Sequence, residues 1–183
     1  MKRAISIVVV VLVAQAAALA HASAPSLTVL LAGGAEMSAI TIALSADGRT
    51  YVIDSVAPLE VGGNVCWHPE GQPNELLCEA APIGGFEVNA GAGDDSVVVA
   101  REVPAPVTLR GGPGRDSLVG GGAGDKLVGG AGDDVLVGRA GGDSLFGGPG
   151  ADRLVGGSGN DLLRGDSGED TLLGGSGVNE LKP

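Results

Sequence analysis

The chain has 183 residues, with 22 acidic side chains against 11 Lys and Arg for a net charge of −11, and 34 glycines. Such a surface makes nucleic acid and anionic membranes poor partners. One Trp, one Tyr and two Phe leave little to line a sugar-binding cleft, and two histidines, one of them His21, exclude a His-rich zinc site of the HExxH kind.

The first element is a leader. Lys2 and Arg3 precede an apolar run from Ala4 to Ala20, broken only by Ser6 and Gln15, and Ala20-His21-Ala22 supplies small residues for cleavage. Residues 1–22 therefore read as a secretory signal peptide cut before Ser23. The run is short of the about 20 apolar residues of a spanning helix, and no stop-transfer charges follow, so no membrane span is expected. The expected location is extracellular, with a secreted protein whose nine basic residues face 22 acidic ones.

Residues 23–89 are long enough for a small β-rich module and too few for a large enzyme core. Leu27 to Ala32, Ala39 to Leu44 and Thr50 to Ile53 read as strands, with Ala46-Asp47-Gly48-Arg49 as the turn between the last two. Cys66 and Cys78 are the only cysteines. In an exported chain they are expected to form a disulfide around the Pro69 to Pro73 loop, worth about 3 kcal/mol in the chain-entropy model. Trp67 and His68 sit beside it, Trp67 as a packing or ligand-contact aromatic. Residues 90–110 hold one degenerate copy of the motif that follows, AGAGDDSVV from Ala90 to Val98, and an irregular joint at Pro104 and Pro106 before a strand from Val107 to Arg110.

Residues 111–183 repeat every nine residues: GGPGRDSLV, GGGAGDKLV, GGAGDDVLV, GRAGGDSLF, GGPGADRLV, GGSGNDLLR, GDSGEDTLL and GGSGVNELK. The sixth place is Asp116, Asp125, Asp134, Asp143, Asp152, Asp161, Asp170 and then Asn179; the eighth is leucine in every copy, from Leu118 to Leu181. A glycine-rich turn followed by three strand residues predicts one side of a coil, two units closing a winding. The leucine points inward while its neighbours point out. One unit cannot bury a leucine alone, so stability must come from stacking.

Stacking lines up the aspartates. Windings about 4.8 Å apart place Asp116, Asp134, Asp152 and Asp170 in one column and Asp125, Asp143 and Asp161 in the other, closed by Asn179. Neighbouring carboxylates then repel by about 1 kcal/mol in water and about 3–4 at an effective dielectric of 20. A divalent cation between them reverses the sign, and turn carbonyls complete the oxygen shell of about six to eight ligands that calcium accepts. The pattern asks for a hard metal ion.

The repeat resembles the RTX, or hemolysin-type calcium-binding, nonapeptide GGxGxDxUx, closely from Gly111 to Lys182. The resemblance implies an all-β fold: a parallel β-roll or β-helix solenoid of nonapeptides carrying a small N-terminal β module. It also implies Ca2+ as cofactor, a six-residue turn and a three-residue strand per unit, and ions held between turns two units apart. The pairs would be Asp116 with Asp134, Asp125 with Asp143, Asp134 with Asp152, Asp143 with Asp161 and Asp152 with Asp170. Departures fall at Ala123, and at Arg139 and Asp166, which replace glycine at the second place; those turns are expected to be distorted. Arg164 and Lys182 break the apolar ninth place and read as a solvated end.

Catalytic constellations are missing. The sequence has no GxSxG elbow and no GxxxxGK[ST] loop, and the string Gly165-Asp166-Ser167-Gly168 is the opening of the seventh repeat. The expectation is a calcium-binding protein whose folding is coupled to calcium, not an enzyme. The second reading is a calcium-stabilised surface or matrix interaction module with an extracellular protein or glycan partner; the third is a polysaccharide-active enzyme or its accessory module.

Overall fold

A computed structural model describes residues 39–46, 50–55, 66–67, 69–72, 75–79 and 85–183; the predicted leader and the strand predicted at 27–32 lie outside them. The described elements are all strands: β1 (Ala39–Leu44), β2 (Thr50–Ser55), β3 (Cys66–Trp67), β4 (Glu75–Glu79), β5 (Phe86–Asn89), β6 (Ser96–Val99), β7 (Val107–Pro113), β8 (Ser117–Val119), β9 (Lys126–Ala131), β10 (Val135–Ala140), β11 (Ser144–Pro149), β12 (Arg153–Ser158), β13 (Leu162–Ser167), β14 (Thr171–Ser176) and β15 (Glu180–Lys182). Among these residues no helix is long and apolar enough to cross a membrane.

The strands wind into a parallel β-solenoid of about five turns. One sheet has the order β14-β12-β10-β8-β6-β1-β2-β4-β3 and the other β15-β13-β11-β9-β7-β5. Odd and even repeats thus alternate between the sheets. Each strand pairs with the one two units on, Leu136 with Leu154 and Leu145 with Leu163, an offset of two nonapeptides. Most roll strands run longer than the three residues expected, because pairing continues through the first three places of the next unit: Gly112 pairs with Gly130 and Pro113 with Ala131. The second-place glycines stay in the ladder at positive φ, 123° at Gly112 and 127° at Gly130.

Leu109, Leu118, Leu127, Leu136, Leu145, Leu154 and Leu163 are all 0 % exposed and form the core seam, which Val88, Val97, Val99, Ile42 and Ile53 extend toward the amino end. Burying each leucine is worth about 1.5–3 kcal/mol. The seam thins at the other end: Arg164 pairs with Asp166 at 2.5 Å and Lys182 with Glu180 at 2.7 Å, all at the surface. Leu181 is nonetheless 45 % exposed, so the charged residues expected to cap this end leave its last leucine half covered.

The described part of the N-terminal region continues the same sheet. β1 pairs in parallel with β6, Ile40 opposite Val97, and β2 and β4 add on in antiparallel fashion. At the facing ends of β1 and β2, Ser45 N–H donates to the Thr50 carbonyl at 2.8 Å and Thr50 N–H to Ser45 Oγ at 3.0 Å; residues 47–49 of the predicted turn lie outside the described residues. β3 and β4 set Cys66 opposite Cys78, with Cys78 buried, and no cysteine is free among the described residues.

Candidate metal centre

The turns that carry the aspartates depend on backbone conformations that L side chains rarely adopt. In the third repeat, Gly130 and Gly132 lie at φ 127° and 130°, and a Cβ on them would come within 2.0 Å of the Gly112 carbonyl oxygen and 1.9 Å of the Gly114 one. In this repeat a Cβ at either place has no room against the winding before it. Arg139 and Asp166 occupy the second place and take the same left-handed turn, at φ 81° and 77°. The expected distortion is absent at these two, since Arg139 still pairs with Gly157 and Asp166 with Gly148. The strain stays local, about 1–3 kcal/mol for each such residue.

Each sixth-place carboxylate folds back over the first glycine of its own turn. A Cβ on Gly111 would lie 2.1 Å from Asp116 Oδ2, and one on Gly147 2.2 Å from Asp152 Oδ2. The two carboxylate oxygens then have different fates. Oδ1 accepts the backbone N–H of the sixth-place residue one winding earlier: Asp116 N–H to Asp134 at 2.7 Å, Asp134 to Asp152 at 2.8 Å, Asp125 to Asp143 at 2.8 Å, Asp143 to Asp161 at 2.9 Å and Asp152 to Asp170 at 2.9 Å. These bonds build the two columns read from the repeat. Oδ2 of Asp116, Asp134, Asp143, Asp152 and Asp161 is buried and accepts no hydrogen bond. The aspartates themselves are only 1–2 % exposed.

A buried carboxylate oxygen with no donor costs free energy unless a cation faces it. Burial, with like charges above and below, pushes Asp134 and Asp143 up to about 7 from an ordinary 3.8, and raises Asp116, Asp125 and Asp152 mainly through desolvation. Among the described residues no group of three or more His, Cys, Asp or Glu side chains converges. An ion here must draw most of its ligands from the backbone, and an all-oxygen donor set of carboxylate and carbonyl suits a hard cation such as calcium.

Asn179 shows what the site lacks. Its Oδ1 accepts Asp161 N–H at 2.9 Å, as an aspartate would, and its Nδ2 donates to the Gly175 carbonyl at 3.2 Å. That amide nitrogen lies over the first glycine, Gly174, where Oδ2 lies in the other units. The position therefore faces a second-place carbonyl. With asparagine there the contact is a hydrogen bond; with an ionised aspartate two acceptors meet, and a positive ion between them makes the contact favourable.

Asp125 departs from the pattern. Gly121 N–H donates to its Oδ2 at 2.7 Å, in the turn where Ala123 replaces the fourth-place glycine and adopts no left-handed backbone. The distortion expected at Ala123 thus takes the form of an internal donor at the oxygen that is open elsewhere. Asp170, near the thinning end, is only partly buried. Asp95 is missed by the repeat count, yet it heads the first column, 3 % exposed, with its N–H donating to Asp116 Oδ1 at 2.8 Å. Its signal in the sequence is the sixth place of the degenerate copy from Ala90 to Val98.

Residues 110–145 and 146–181 match the family model of the RTX calcium-binding nonapeptide repeat, which spans four copies. No curated protein and no solved structure matches the chain. RTX nonapeptide repeats bind calcium, and the unpartnered carboxylate oxygens of this roll fit such an ion.

Proposed function

With RTX calcium-binding repeats across residues 110–181 as the premise, we propose that this is an extracellular calcium-binding protein whose roll folds as it takes up calcium. The observation that carries the reading is the row of buried, donorless Oδ2 atoms on Asp116, Asp134, Asp143, Asp152 and Asp161. Asp125 and Asp170 join them as ligands, Asp125 the weaker because Gly121 already occupies its Oδ2. Without an ion these oxygens work against the folded state. An ion that binds only the folded roll stabilises it by about 2.7 kcal/mol per site at one hundred times its dissociation constant. Removal of residues 1–22 as a leader places the chain outside the cell, where calcium is plentiful and weak sites fill. The role is that of a calcium-ordered, non-catalytic element.

Far-ultraviolet circular dichroism tests the reading. Calcium titrated into chelated protein should produce a cooperative gain of β signal that magnesium at equal concentration does not. A full β signal in chelator, unmoved by calcium, would sink it.

The pH dependence has a definite sign. Asp134 and Asp143 titrate in the metal-free roll near 7 rather than 3.8. Their contribution to metal-free stability is fully present below about pH 4 and is lost as pH rises through about 7. Calcium needs the ionised form, so binding at lower pH must displace protons. Circular dichroism in chelator should show more residual β signal at pH 6 than at pH 8; an equal or smaller signal at pH 6 would contradict the burial of these groups.

The Cys66–Cys78 disulfide is part of the proposal for the N-terminal region, supported by their facing positions on β3 and β4. Alkylation before reduction should label neither cysteine and after reduction both; labelling before reduction would remove it.

A further inference from the structure

The winding at residues 90–110 precedes the matched repeats and is longer than the rest. Ser96 pairs with Ser117, an offset three residues greater than between Ser117 and Val135. The surplus sits on the far side of the winding from Asp95, in the bend at Arg101 and Glu102, where Val103 N–H donates to the Ala100 carbonyl at 3.1 Å. On the near side the turn keeps the geometry of the repeats. Gly91 and Gly93 lie at φ 111° and 118°, and their N–H groups donate to the carbonyls of Gly111 and Pro113 at 3.0 and 2.9 Å. A Cβ on Gly114 would fall 2.0 Å from the Gly93 oxygen, the same close stacking. Asp94 Oδ1 adds a second pin by accepting Arg115 N–H at 2.8 Å.

Between these two turns Asp95 contributes a buried carboxyl, and Asp116, 2 % exposed, holds an Oδ2 with no donor. The opposite column has no equivalent: Val107 stands one winding before Asp125, and only its N–H reaches Asp125 Oδ1, at 2.9 Å. The added winding thus offers a carboxylate pair on one side alone. Ser96 opens β6 immediately after Asp95, and β6 is the strand against which β1 pairs, with Ala100 N–H donating to the Ile42 carbonyl at 2.7 Å. Whatever fixes the 90–95 turn fixes the strand on which β1, β2 and β4 are assembled.

We propose that the turns at 90–95 and 111–116 form a further calcium site, with Asp95 and Asp116 as its carboxylates, and that filling it fastens the β1–β2–β4 sheet to the roll. The proposal rests on calcium binding by the roll itself. Its test is hydrogen exchange of the protein across a calcium series, with ion counting by calorimetry, for the parent chain and Asp95→Asn. The parent should gain protection in residues 39–55 together with 90–119. Asp95→Asn should bind one ion fewer and lose the calcium response of 39–55, while 126–176 still respond. An unchanged ion count in Asp95→Asn overturns the site, and a parent chain whose repeats respond to calcium while 39–55 do not overturns the fastening, a result independent of the variant's folding. Repeats that do not respond in the parent overturn the proposal together with the reading beneath it.

Discussion

Replacing Asp143 and Asp152 by asparagine should reverse the order of stability between chelator and calcium. In chelator the double variant is expected to melt above the parent chain. Asn179 supplies the reason, because its Nδ2 donates to the carbonyl four residues earlier, at Gly175; the new asparagines would face Arg139 and Gly148 in the same way. Each then replaces a donorless buried oxygen by a satisfied amide, a gain of about 1–3 kcal/mol per site. In calcium the order inverts. Asp143 and Asp152 enter the proposed pairs with Asp125, Asp161, Asp134 and Asp170, so most of the ion-linked stabilisation goes with them. Thermal melts of both proteins in chelator and in saturating calcium check it, and curves that keep one order in both conditions would show that the carboxylates do not hold the ion.

Leu145→Ala should be the most damaging single change in the seam, and Leu181→Ala among the mildest. Leu145 is 0 % exposed and pairs with Leu127 and Leu163 on either side. The core is one leucine thick per strand, so neighbours above and below are held in place by their own ladders and cannot collapse into the gap. The expected cost is about 3–5 kcal/mol, at the upper part of the range for such truncations. Leu181 is 45 % exposed on the last strand, and its removal should cost well under about 1 kcal/mol. Denaturation in saturating calcium separates the two; similar losses would mean that the end of the roll is covered in solution.

Much of this architecture is legible in the repeat itself. Two nonapeptides per winding follow from the alternation of an inward leucine and a turn, and that spacing alone sorts Asp116, Asp134, Asp152 and Asp170 from Asp125, Asp143 and Asp161. What spacing does not carry is the direction of a hydrogen bond. That Gly121 donates to Asp125 Oδ2 depends on how the turn bends where Ala123 replaces glycine, and periodicity is silent on it. Asp95 escapes because the bend at Arg101 and Glu102 breaks the count that brings the other aspartates into line. β1 is legible from its alternation, but its parallel seat against β6 is not, since no repeated interval links the two. Arg139 and Asp166 show the opposite failure: glycine preference predicts damaged turns, and strand pairing, Arg139 with Gly157 and Asp166 with Gly148, holds the left-handed backbone in place.

The sixth-place side chains all reach backward. Asp134 satisfies an N–H of the winding before it, Asp152 does the same for Asp134, and so on to Asn179. Each winding is therefore left incomplete until its successor arrives, which gives the roll a direction of growth. A chain delivered amino end first would carry one unfinished rim that moves along with the emerging polypeptide.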